Sequence, residues 1–227
     1  MWPADADALV ARQHQIATLS APPWQPSAGP VLAGACWVCF PRGCTGPGAA
    51  GDPAWTAAVL VRDGSLLAAH VSAGAARAPY AAGLLALRVG PLLEEVARGL
   101  PEVPDVVLLD GTGRDHPRRA GLALHLGVEL GLPTVGVTHR PLLARGEWPR
   151  DDRGATSPLR IGAEVVGCWL RTRPGVRPLA VHPGWRVDVR TAVELVLHAT
   201  ETQRTPEPLR LARHEARAAR SAADPEP

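Results

Sequence analysis

The chain has 227 residues, 46% of them hydrophobic, with a formal net charge of +2, and its mean hydropathy lies near zero. That composition describes one soluble globular domain with a substantial core, 1–227, and excludes a disordered, collagenous or membrane-spanning chain. All 24 basic residues are arginine, dispersed along the chain, so the charge balance names no acidic partner.

Apolar spacing from Asp7 to Leu19 predicts a first helix, followed by a Pro-rich connector from Ala21 to Pro30. Val31 to Phe40, Trp55 to Arg62 and Leu66 to Ser72 read as three strands of a meander. Asp63-Gly64-Ser65 is the turn between the second and third, and Arg42 to Pro53 is a Gly/Pro-rich loop. Leu84 to Leu100 predicts a helix that Gly90-Pro91 should kink or split. A fully apolar strand, Val106 to Leu109, is followed by a helix from about Pro117 to Leu130, with Asp115 as its cap, and by a fifth strand, Thr134 to Thr138. Ala163 to Arg171 and Leu179 to His182 suggest a further strand pair, and Val189 to Ala199 an amphipathic helix. The tail after about Arg217 is expected to be flexible. The N-terminus lacks a basic region followed by an apolar run, which predicts a cytoplasmic protein with no membrane partner. Four cysteines in such a chain are expected as free thiols. Cys168, Trp37, Trp55 and Trp169 read as core, as does His125, with hydrogen bonds to its ring. The Trp148 to Arg153 segment reads as an exposed loop whose paired acids are solvated.

The most informative run is Asp110-Gly111-Thr112-Gly113-Arg114-Asp115-His116 directly after the buried strand. A carboxylate at a strand's carboxyl end opens into the crevice where α/β sheets place ligands, and the glycines permit close approach to the backbone. Around it stand Pro79-Tyr80, His116-Pro117-Arg118-Arg119-x-Gly121-x-Ala123-x-His125-x-Gly127, Pro133-Thr134-x-Gly136-Val137 and Pro206-Glu207-Pro208-x-Arg210, in that order. Together they resemble the endonuclease V family, over nearly the whole chain from the first helix to Arg213. The resemblance implies an α/β, ribonuclease H-like mixed sheet with strand order 3-2-1-4-5, flanked by helices. It also implies magnesium-dependent cleavage near deaminated purines such as inosine.

At the positions matching the family's metal-binding acids, the chain departs from the pattern. Ala33-Gly34-Ala35-Cys36 places a thiol where the family has aspartate, and Leu87-Arg88-Val89 places valine where it has glutamate. Arg213 stands at the family's Asp/His position, with His214 one residue on, and His139 replaces a lysine. Of the acids only Asp110 remains, and one carboxylate makes a poor magnesium site. The cofactor expectation is therefore none, magnesium having been lost. Cys36-x-x-Cys39-x-x-x-x-Cys44 is not a convincing zinc motif, since positions 36 and 39 of a strand face opposite ways. A softer-metal site from Asp110, Cys36 and one of His116, His139 or His214 remains open.

In the implied strand order Asp110 lies between Cys36 and His139, which are separated by roughly 9 to 10 Å at the backbone. The expectation is metal-independent catalysis on a small molecule, possibly of specialised metabolism, by Asp110 with His139 or His116 and with Cys36. Tyr80, Gly111, Thr112, Gly113, Arg118 and Arg140 are the expected substrate-binding residues. Two alternatives stand beside it: a non-cleaving nucleic-acid or deaminated-base binding protein, and an endonuclease cleaving near deoxyinosine with altered metal ligation. Tyr80 matches the family's strand-separating wedge, but Pro-Tyr-Ile-Pro has become Pro79-Tyr80-Ala81-Ala82. The oligomeric state is not encoded legibly.

Overall fold

A computed structural model describes residues 2–27, 29–201 and 203–223. The element order is α1 (Ala6–Thr18), β1 (Ala33–Cys39), β2 (Pro53–Arg62), β3 (Ser65–Ala75), α2 (Leu85–Arg98), β4 (Val106–Leu109), α3 (Leu122–Leu130), β5 (Thr134–Thr138), β6 (Thr156–Ile161), β7 (Glu164–Leu170), β8 (Leu179–Pro183), α4 (Val189–His198) and α5 (Glu207–Ala223). The strands form one sheet in the order β3-β2-β1-β4-β5-β8-β7-β6, so the expected 3-2-1-4-5 order is present and is extended by an antiparallel meander. β1, β4 and β5 run parallel to one another, and every other neighbouring pair is antiparallel.

Strand alternation sorts the core into two layers. Cys36, Val107 and Leu109 pack with residues of α1, α2 and α3, whereas Ala35, Val106 and Leu108 pack with residues of α4 and α5. The β2–β3 turn contains Asp63 and Gly64, both at positive φ, as a tight hairpin with the twist of its strands requires. Asp188 caps α4 by accepting a hydrogen bond from the Thr191 backbone N–H at 2.7 Å.

Several expectations are corrected. α2 runs as one helix through Pro91, so the split does not occur. Proline forfeits a single i to i−4 bond there, while Ala86, Leu87, Val89, Leu93 and Val96 anchor both halves of the helix in the same apolar cluster. Gly90 has a packing role: a Cβ at that position would lie 2.4 Å from the Trp2 ring. α3 begins at Leu122 instead of Pro117, because residues 117–121 form a turn with Arg119 at φ +57. Asp115 accordingly caps no helix. β6 was not anticipated, since Pro158 interrupts its apolar signal; as an edge strand it tolerates a residue without an N–H. α5 continues to Ala223, past the expected limit of order, with Leu209, Ala212 and Ala216 buried at helical spacing. His125 is fully buried and stacks on Trp2 at 4.4 Å, but neither ring nitrogen has a hydrogen-bond partner among the described residues. The four cysteines are free thiols. No described helix is long and apolar enough to cross a membrane.

Candidate active site

β4 ends at Leu109, and the chain opens at Asp110 into two adjoining cavities that share Asp110 and Thr138. The larger, about 200 Å³, is lined by Tyr80, Gly83, Gly111, Thr112, His116 and Leu142, among others. The smaller, about 20 Å³, is lined by Trp37, His139, Thr205, Leu209 and Arg213 together with Asp110. Asp110 is reachable by solvent, yet protein crowds around it. That desolvation pushes its carboxyl above the usual carboxylate range, and the positive charge of Arg213 pulls the other way. His139, exposed at the end of β5, is held below the ordinary histidine range by partial burial and by the charges of Arg204 and Arg213. Asp110 and His139 thus share a cavity, as the strand order implied.

Arg213 reaches this point from α5, its guanidinium 5.8 Å from the centre of the Trp37 ring. His214, the next residue, is exposed and lines neither cavity. Of these two neighbours, only Arg213 lines a cavity with Asp110.

Cys36 lines neither cavity. It is 1% exposed in the apolar cluster that also contains Val89, and burial pushes its thiol up to about 12. A thiol in that setting stays protonated and out of reach, which speaks against both the nucleophilic and the thiolate-metal role for Cys36.

His116 lines the larger cavity, but both of its ring nitrogens are engaged. Nε2 donates to the Gly83 carbonyl at 3.1 Å and Nδ1 accepts from the Arg118 backbone N–H at 3.2 Å. Burial, reinforced by Arg118, lowers its pKa to about 4, so the ring is neutral and serves as a brace. Arg118 does not line the cavity: its guanidinium donates to Gln13 Oε1 at 2.5 Å and to the Gly83 carbonyl at 2.6 Å. Gly113 is a packing residue, since a Cβ there would lie 2.0 Å from the Pro183 carbonyl oxygen. Arg140 supplies its backbone carbonyl to Thr138 Oγ1 at 2.7 Å, and its side chain lines neither cavity. Gly111, Thr112 and Tyr80 do line the larger cavity, and Tyr80 is 50% exposed at its edge.

Three contributions escaped the sequence reading, one of them from Asp115, which reads in sequence as a helix cap. Thr138 bridges the two cavities; its hydroxyl donates to Arg140 and accepts from His182 Nε2 at 3.0 Å. Asp115, fully buried, accepts the backbone N–H groups of Leu142, Leu143 and Ala144 at 2.7 to 2.8 Å and so fixes one cavity wall. Gln13, buried on α1, donates to the Gly83 carbonyl at 3.1 Å. Only the helical register of Gln13 with Leu9 and Ile16 could have signalled an inward polar group.

A sequence model of endonuclease V matches residues 47–214. Endonuclease V of Streptomyces coelicolor is 44% identical over 163 residues, 71% of this chain and 70% of that protein. That of Azotobacter vinelandii is 46% identical over 134 residues, 59% of this chain and 61% of that protein. Among solved structures, endonuclease V from Streptomyces avermitilis superimposes with a TM-score of 0.84 at 35% identity, covering 98% of this chain and 96% of that one. The catalytic domain of human endonuclease V gives 0.83 at 27% identity, covering 98% of each. With the strand order, the Asp110 crevice and these matches in agreement, the chain belongs to the endonuclease V family.

Proposed function

We propose that this chain acts on a purine-type small molecule, such as a deaminated purine nucleotide, without magnesium. The ring would occupy the larger cavity, and protons would be moved by Asp110, which the two cavities share, and by His139 from the smaller one. The observation that carries this reading is what three of the four arginines near the mouth do; the fourth, Arg140, is exposed. Arg114 donates to the carbonyls of Ala17 and Leu19, Arg118 to Gln13 and Gly83, and Arg119 pairs with Glu164. Cations committed within the protein do not form the phosphate-tracking surface that a polymer requires. The cavity itself suits one bicyclic base.

Magnesium, which the family implies, does not fit the donor set at Asp110. It needs several hard oxygen ligands, usually from more than one carboxylate or from substrate phosphates. The positions matching the family's other acids hold Cys36 and Val89 within the apolar cluster, and Arg213 brings positive charge to the place where a cation would sit. The residues left for chemistry are Asp110, His139 and Arg213. Arg213 would bind an anionic group of the ligand, and the lowered pKa of His139 keeps it neutral and able to accept a proton near neutral pH.

A second reading, recognition of a deaminated base within nucleic acid without cleavage, is favoured by the half-exposed Tyr80 at the cavity edge, placed to stack on a neighbouring base. The discriminating experiment compares inosine 5′-monophosphate with a deoxyinosine-containing oligonucleotide, measuring binding and product formation with magnesium and with a chelator. The proposal expects the free nucleotide to bind with no dependence on magnesium and the oligonucleotide to remain intact. Tight binding of the oligonucleotide alone would favour the second reading. Magnesium-dependent nicking abolished by Asp110→Asn would overturn both.

A further inference from the structure

A further cavity opens at the leading end of β4, away from Asp110 itself, although Thr205 lines both it and the smaller cavity at Asp110. It measures about 470 Å³ and is bounded by the leading ends of β1 and β4, the β2–β3 turn, the end of α4 and the first turn of α5. Val61, Val106 and Leu108 form an apolar floor. The rim carries the acids Asp63, Glu201 and Glu207. Glu207 is neutralised by Arg210, whose Nε donates to it at 2.8 Å. Asp63 and Glu201 form no ion pair among the described residues. Glu201 reaches the turn that carries Asp63: a Cβ on Gly64 would lie 3.2 Å from Glu201 Oε1.

An apolar recess under two uncompensated carboxylates has a definite chemical preference. A neutral ligand would gain only from the floor, an anion would be repelled, and an ammonium group on a compact hydrocarbon body would gain from both. The volume is that of a small-ligand site. On a chain whose formal charge is +2, a local excess of two negative charges facing a cavity runs against the background.

We propose that this cavity is a second ligand site, separate from Asp110, that binds a compact organic ammonium ion with its charge between Asp63 and Glu201 and its apolar body on Val61, Val106 and Leu108.

The test uses the whole chain and three isosteric probes, phenethylamine, 2-phenylethanol and phenylacetate, titrated calorimetrically at neutral pH. Phenethylamine, protonated there, should bind about 5- to 10-fold more tightly than the alcohol, the span expected for partly exposed charge pairs, and phenylacetate should not bind. The double variant Asp63→Asn/Glu201→Gln should remove the preference for the amine while leaving the weak binding of the alcohol. Ala199→Phe, which fills the cavity from the end of α4, should abolish binding of both. Asp110→Asn should leave the affinity for the amine unchanged, which separates this site from the one proposed above. Equal affinity for amine and alcohol, retention of the preference in the double variant, or no binding of phenethylamine up to about 10 mM would overturn the proposal. Because both acids lie at the surface, the double variant should melt with the wild type, and circular dichroism checks that it is folded.

Discussion

Asp115 shows how much of the site depends on a side chain that touches no ligand. Its two oxygens receive three backbone N–H groups, from Leu142, Leu143 and Ala144, and Leu142 is part of the cavity wall. Replacing it by alanine leaves those donors in a dry interior. Asp115→Ala should therefore cost about 3 to 5 kcal/mol in a denaturant titration, since each stranded buried donor costs about 1 to 3 kcal/mol and part of the loop can relax into water. Cys36 gives the contrasting case. Native protein treated with iodoacetamide should be alkylated at exposed Cys44 and spared at Cys36, as peptide mass spectrometry would show; rapid labelling of Cys36 would restore its candidacy as a nucleophile. Sequence drew attention to both residues, misread Asp115 as a helix cap, and offered Cys36 for chemistry without sight of its burial. An Asp before His-Pro looks like a helix cap because capping is local, whereas its true partners lie 27 to 29 positions further along. A cysteine on a strand looks available until the packing on its face is known.

At the level of elements, the parts legible in the sequence were those with strong local periodicity. β1 to β5, α1, α2 and α4 were found with boundary errors of a few residues, and Asp110 was placed at its strand end because an apolar run that stops at Asp-Gly needs no tertiary information. β6 and α5 were missed for opposite reasons: Pro158 breaks the alternation of one, and the Ala/Arg-rich composition of the other resembles a disordered tail. Missing α5 mattered, because it brings Leu209 and Arg213 to Asp110 and packs on β1, β2 and β3. Ala212 and Ala216 are fully buried, so the helix lies close against the sheet. Ala212→Leu should destabilise the fold by about 1 to 3 kcal/mol through overpacking, measurable as a lowered denaturation midpoint. It should also weaken nucleotide binding by displacing Arg213. An unchanged midpoint would mean that α5 is not seated on the sheet as described.

Across the whole molecule, three buried histidines on different elements share one property. His116, His125 and His182 are each pushed down to about 4, chiefly by burial. In the unfolded chain they titrate near 6.5, so between about pH 6.5 and 4 the unfolded state binds protons that the folded state refuses. Their contribution to stability is complete above the unfolded value and is lost as the pH falls toward the folded one. Unfolding free energy should thus decline steeply with acidification below about pH 6.5, and His125→Gln should flatten the decline by about one proton, or about 1.4 kcal/mol per pH unit. Denaturant melts at half-unit pH intervals would measure both slopes. The opposite edge of the sheet invites a simpler test. β3 leaves Leu66, Leu67 and Val71 substantially exposed along a strand with no acid or arginine, and Leu67→Arg should raise the concentration at which the protein begins to aggregate.

The small cavity at Asp110 draws Trp37 from β1, His139 from the end of β5, Thr205 from the approach to α5 and Arg213 from α5 itself. Its walls thus span positions 37 to 213, and β1 reaches β4 only across some seventy intervening residues. No fragment of the chain contains the site in miniature. Ligand binding at Asp110 is for that reason a reporter of complete assembly: during refolding, helical signal from the local elements should return first, and binding competence last, with the docking of α5.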